Sequence, residues 1–254
     1  MEILRKTSWL GGKRAIQHKL RGIGIEVRKF PTVPFQPVSV FNLAVSLLMA
    51  KQGTALTFVQ VGANDGVFGD PLRRFILRYP WRGILVEPQP QVFARLADNY
   101  RDLTDRLILE NLAIAADGSE IVLYTPPEGL QQDDTYAASV ASSDPATIAR
   151  QLGIPEKDLR RIVTPSMTLD LLLAKHGLAQ IDLLQIDVEG YDWKVLRTLD
   201  LGKVAPSIIQ FESGHLSIAD CDNAVRYLTQ HDYEIYWGGY QGDVVALRKS
   251  SFDA

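Results

Sequence analysis

The chain has 254 residues, 46% of them apolar, and a formal net charge of −3. That length supports one sizeable core in a single α/β unit, and Cys221, the sole cysteine, excludes an internal disulfide and a cysteine-based zinc cluster. The charge is uneven: residues 1–30 carry eight Lys/Arg against Glu2 and Glu26, which leaves about −9 on the remainder and argues against an extended nucleic-acid surface.

Residues 1–36 read as a basic arm, punctuated by Gly11-Gly12, Gly22, Pro31 and Pro34, and residues 37–254 as the domain. The start lacks the order of a secretory signal, because basic residues recur to Lys29 and no small-residue cleavage site follows an apolar stretch. Residues 38–50 are apolar but shorter than the roughly 20 residues a membrane-spanning helix needs, so a core-facing helix is expected there. Cys221 reads as a small buried apolar residue. A cytoplasmic protein with no membrane span is the expectation, with a homo-oligomer contact left open for the arm.

From Thr57 the pattern becomes regular. Thr57–Val61 reads as a strand, Asp70-Pro71 as the cap of a helix to Tyr79, Gly83–Val86 as a strand and Gln89–Tyr100 as a helix. Arg106–Glu110 is a strand, Leu169–His176 a helix, Ile181–Ile186 a strand, Asp192–Leu199 a helix and Pro206–Phe211 a strand. Cys221–Gln230 completes the helices. Tyr233–Trp237 and Val244–Leu247 are strands joined by too few residues for a crossover helix, so they should pair antiparallel. Nearly continuous apolar strands alternating with helices predict an α/β fold: a doubly wound, mostly parallel sheet with an antiparallel edge strand. The polar stretch Pro126–Asp144 is irregular and long enough for a binding loop.

In such a sheet ligands sit beyond the carboxyl ends of the strands, and the first strand ends in Gly62-Ala63-Asn64-Asp65-Gly66. Glu87 ends the second strand, where a carboxylate can accept bonds from both ribose hydroxyls. A dinucleotide needs a close-approach glycine where Asn64 stands, which argues against a nucleotide-dependent oxidoreductase. S-adenosylmethionine has no phosphate and tolerates both Asn64 and the acidic Asp65. Asn111 and Ala113 follow the third strand, where adenine would lie.

Asp187 ends the fourth strand beside the first, and Glu212 and His215 follow the fifth. A hydroxyl acceptor must lose its proton, and His215 is the first choice of base among the histidines. Asp187 or Glu212 could orient it, serve as base instead, or hold a divalent metal through oxygen ligands. Asp192 reads as a helix N-cap.

These segments, taken in order, resemble the FkbM-type methyltransferases, a class I family. The resemblance spans about residues 56–215 and rests on Phe58–Gly66, Val86-Glu87-Pro88, Asn111-Leu112-Ala113, Thr168-Leu169-Asp170, Ile186–Tyr191 and the strand ending in Glu212. It implies a Rossmann-like class I methyltransferase fold, cofactor contacts at Gly62, Asn64 and Glu87, and Asp187 bordering both cofactor and acceptor. The acceptor it implies is a hydroxyl of a sugar, a glycan or a polyketide-type natural product. Gln60 stands where related enzymes usually carry an acidic residue that holds the methionine ammonium, and Asp192 replaces the more usual Glu. A non-catalytic S-adenosylmethionine-binding or scaffold protein of the same fold is the alternative.

Overall fold

The computed structural model describes residues 39–116, 118–127, 130, 140–238 and 243–253. The basic arm and most of the irregular stretch after Pro126 lie outside the described residues. Helix α1 (Val40–Gln52) precedes β1 (Thr57–Val61), α2 (Arg73–Arg78), β2 (Arg82–Val86), α3 (Pro90–Asn99) and β3 (Leu107–Glu110). Then come β4 (Ala113–Ile114), β5 (Glu120–Thr125), α4 (Pro145–Leu152), β6 (Arg160–Met167), α5 (Leu169–Lys175), β7 (Leu183–Ile186) and α6 (Asp192–Leu196). Strand β8 (Ile208–Glu212), α7 (Ile218–Gln230), β9 (Tyr233–Gly238), β10 (Asp243–Arg248) and α8 (Lys249–Phe252) end the chain.

Seven strands form one sheet in the order β3-β2-β1-β7-β8-β10-β9. The first five pair parallel, whereas β10 is antiparallel to both β8 and β9, as the short connection between the last two strands requires. The chain winds outward from β1 to β3, then returns to β7 on the other side of β1. The β1/β7 boundary is therefore the switch point, where a crevice opens beyond the strand ends.

Period-two alternation divides the strand residues between two cores. Val59, Val61, Ile84, Val86, Ile186 and Phe211 face α5, α6 and α7, whose Leu172, Val195 and Leu228 close that side. Phe58, Leu85, Leu183 and Ile208 face the other way, against α1, α2 and Trp81. Helix α1 turns Phe41, Ala44, Val45 and Leu48 inward at helical spacing, and each large apolar side chain so buried contributes about 1.5–3 kcal/mol. The apolar stretch is thus core helix from Val40 on, and no described helix is long and apolar enough to cross a membrane. Cys221 lies on α7, half-buried.

Two features differ from expectation. A second, three-stranded sheet in the order β4-β6-β5 stands apart from the main one. Its central strand β6 contains Pro165, normally confined to edges. Pro165 is paired with Glu120 at the start of β5, and the β4 pairing begins only at Ser166, so the ladder does not call on the N–H that proline lacks. Secondly, Asp192 does not cap a helix with its side chain: it is the first residue of α6, 0% exposed, and its Oδ1 accepts the Glu212 backbone N–H at 3.2 Å. The α2 helix begins at Arg73, with Asp70 Oδ1 accepting from Leu72 and Arg73 N–H groups just ahead of it.

Candidate functional site

At the carboxyl edge a cavity of about 380 Å³ opens over β1, β2, β7 and β8, within the range of small-molecule sites. Gly62 leaves β1 at φ 79°, and its N–H and that of Ala63 both donate to Val86 O. A Cβ at Gly62 would stand 1.8 Å from the Asp187 carbonyl oxygen. Only glycine allows β1 and β7 to approach this closely with the loop backbone bare toward the cavity.

Asn64 takes the left-handed conformation at φ 50°, its Oδ1 accepting from Asp65 N–H. This aims its own N–H at Glu87 Oε2, 3.0 Å away, while Glu87 Oε1 accepts from Gln89 N–H at 2.9 Å. Glu87 is 3% exposed, and burial pushes its carboxyl up to about 7. The sign follows: a folded value above the unfolded one means stability that is full below about 4.5 and lost as pH rises through 7. In urea unfolding without cofactor, Glu87→Gln should gain on wild type by up to about 3 kcal/mol between pH 4.5 and 7.5. A constant difference across that range would mean that Glu87 carries no such shift.

The opposite end of the cavity is carboxylate-rich. Asp187 is enclosed by protein on most sides yet keeps its side chain open to the cavity, and its carboxylate has no hydrogen bond or ion pair among the described residues. Burial and the Glu189 and Asp243 carboxylates push it up to about 7. Burial, with Asp187, Glu189 and Asp192 nearby, pushes Glu212 up to about 9. His215 Nε2 stands 3.4 Å from Glu189 Oε2, 3.5 Å from Glu212 Oε1 and 2.7 Å from Gln151 Nε2. Gln151 also bonds Glu189, and Ser142 Oγ donates to Glu189 O at 2.8 Å, so the segment around the second sheet holds this corner in place. Ile121, Leu123, Ala141 and Ser143 from that segment form one cavity wall.

The structure brings Gln60, Gly62, Asn64, Glu87, Ala113, Asp187, Glu212 and His215 to this one cavity. Asp65 and Asn111 are not among its lining residues. Asp65 Oδ1 instead closes a turn by accepting from Val67 and Phe68 N–H, and Asn111 Nδ2 donates to Glu87 O, bracing the β2 end from behind. Sequence reading assigned no role to Glu189, Gln185 or Gln151, and placed Ser142 only within the polar stretch expected to be a binding loop. Only Glu189 carried a signal, as part of the Asp187-Val188-Glu189-Gly190 run.

Five carboxylates (Asp70, Glu87, Asp187, Glu189, Glu212) line the cavity, and no lysine or arginine is among its described lining residues. This donor set fits S-adenosylmethionine, which carries a net positive charge and no phosphate, and does not fit a pyrophosphate. Gln60 supports the match: it is 1% exposed, its Nε2 is bound to Asp70, and its buried Oε1 has no partner among the described residues. It thus presents an acceptor suited to an ammonium group.

The switch-point cavity, glycine turn and strand-end carboxylate on a mostly parallel seven-stranded sheet define a class I, Rossmann-like methyltransferase fold. The model of the methyltransferase FkbM domain matches residues 60–235, and the chain belongs to that family of S-adenosylmethionine-dependent methyltransferases. Among solved structures it is similar to a methyltransferase FkbM from Methylobacillus flagellatus KT, at 13% identity and a TM-score of 0.48, covering 76% of this chain and 44% of that one. The chain thus spans less than half the length of that protein. It is also similar to a precorrin-6y C5,15-methyltransferase from Geobacter metallireducens GS-15 (13% identity, 85% and 93% covered, TM-score 0.40). A methyltransferase from Geobacter sulfurreducens gives 12% identity, 96% and 95% covered and a TM-score of 0.41. No curated protein matches.

Proposed function

We propose that residues 37–254 transfer a methyl group from S-adenosylmethionine to a hydroxyl of a sugar, glycan or glycosylated natural product. The observation that carries this reading is the open Asp187 carboxylate, set beside the glycine turn in a cavity with no lysine or arginine among its described lining residues. Such a lining repels phosphate, which argues against nucleic-acid acceptors, and offers many acceptors to the hydroxyls of a polyol.

The cofactor supplies a methyl group already activated by its sulfonium. Glu87 receives the ribose hydroxyls, the Gly62 turn leaves room for the cofactor's chain, and Gln60 accepts from its ammonium. Asp187 takes the acceptor's hydroxyl proton as the oxygen–carbon bond forms and the carbon–sulfur bond breaks, leaving a neutral thioether. In-line alignment contributes most of the remaining acceleration. His215, the base expected from sequence, has its Nε2 engaged by Glu189, Glu212 and Gln151, so the free carboxylate takes that role.

Calorimetric titration with S-adenosylmethionine, S-adenosylhomocysteine and NAD tests the cofactor assignment. Both adenosyl ligands should bind and NAD should not, and Glu87→Ala should weaken binding roughly 10-fold or more, as loss of a charged hydrogen-bond acceptor does. Methyl transfer to a panel of glycosides then tests the acceptor class. Binding of NAD alone, or of nothing, overturns the assignment.

A further inference from the structure

Glu189, Glu212 and His215 meet at one corner of the cavity. One ligand atom from each of these residues lies within 4.8 Å of the others. Gln151 Nε2 stands 2.7 Å from His215 Nε2 and so ties the imidazole to this corner. Two carboxylates and an imidazole nitrogen therefore converge on one corner of a cavity with space for further ligands.

Several other oxygens here lack a donor. Glu212 Oε2 is buried and has no partner among the described residues. On the sheet beneath, Gln60, Gln185 and Gln210 stand side by side in register on one face. The Oε1 of each is buried without a partner among the described residues. Gln185 is 3% exposed and lines the same cavity. Buried acceptors without donors are costly, about 1–3 kcal/mol each, and a cation at this corner meets the need of the Glu212 carboxylate. Glu189 is itself held at φ 52°, a strained conformation for a non-glycine residue, by contacts from Gln151 and Ser142.

We propose that Glu189, Glu212 and His215 bind a divalent cation of the magnesium or manganese class, which receives the acceptor's hydroxyl oxygen as a further ligand. The two carboxylates suit that class, and an incomplete protein ligand set leaves positions for substrate. The inference rests on the methyltransferase reading and deepens it: cation coordination acidifies the hydroxyl and orients it, while Asp187, outside the ligand set, receives the proton.

The test uses full-length, chelator-treated protein and Mn2+ as probe, with bound metal read by the loss of the free-ion paramagnetic resonance signal. S-adenosylhomocysteine binding is measured on the same samples. Wild type should bind one Mn2+ per chain, and Glu189→Gln and Glu212→Gln should each weaken it roughly 100-fold, as loss of a ligand exceeds the 10–100-fold loss of an outer partner. S-adenosylhomocysteine affinity should stay near wild type in both variants, which also shows that they are folded. Absence of saturable Mn2+ binding by the wild type overturns the site whatever the variants do, and so does binding that both folded variants keep. Failure of S-adenosylhomocysteine to bind wild type overturns the underlying reading instead.

Discussion

Gly62→Ala should be among the most destabilising single substitutions in this chain. The added methyl would lie 1.8 Å from the Asp187 carbonyl oxygen and 2.8 Å from its carbon, both backbone atoms of a central strand end. Relief requires β1 and β7 to part by more than 1 Å where five parallel strands are hydrogen-bonded across the core. The backbone would in addition hold alanine at φ 79°, which alone costs about 1–2 kcal/mol. A loss of about 4 kcal/mol is expected, a large fraction of the 5–15 kcal/mol that holds a domain together. For a domain of this size that lowers Tm by roughly 8–16 °C. Gly153→Ala is the control: φ is 65° and nothing lies within 4 Å of its Cβ position, so only the conformational term of about 1 kcal/mol remains. Equal Tm losses in the two variants would show that the close approach at Gly62 carries no energy.

Much of the main sheet was legible because each strand is a short apolar run between turn residues. Thr57–Val61 is a strand with the bounds read from sequence, and the antiparallel β9/β10 pair followed from a connection too short for a helix. The second sheet was not legible. Pro165 interrupts the β6 pattern, and its tolerance depends on where the β5 and β4 pairings happen to stop. Asp192 misled for a similar reason: a carboxylate opening an amphipathic helix looks like a cap, but here the β8 end lies directly over it and supplies a backbone N–H instead. The site divides along the same line. Gly62, Glu87, Asp187 and Glu212 sit at strand ends, which sequence locates well. Gln151 and Ser142 come from the segment around the second sheet, 38 and 47 residues before the Glu189 they touch, and no local pattern announces such a contact.

Asp187→Asn should lower kcat by roughly 10²- to 10⁴-fold, the usual worth of a positioned general base. The amide keeps the shape of the carboxylate, and the Asp187 carboxylate makes no hydrogen bond or ion pair to a described residue, so folding has little to lose. Removing one of several crowded carboxylates should instead raise stability slightly, because Asp187 is itself pushed up by burial and by Glu189 and Asp243. Loss of a group needed in the transition state lowers kcat and kcat/KM together, and S-adenosylhomocysteine, which lacks the sulfonium charge, should bind the variant nearly as well as wild type. Added Mn2+ should not restore Asp187→Asn, since the missing function is proton removal, whereas it should partly restore a variant whose defect is weak cation binding. Steady-state kinetics on an accepted glycoside, with and without excess Mn2+, separates the two. A drop confined to KM, or recovery of Asp187→Asn by the metal, would move Asp187 from proton acceptor to acceptor binding or to cation ligation.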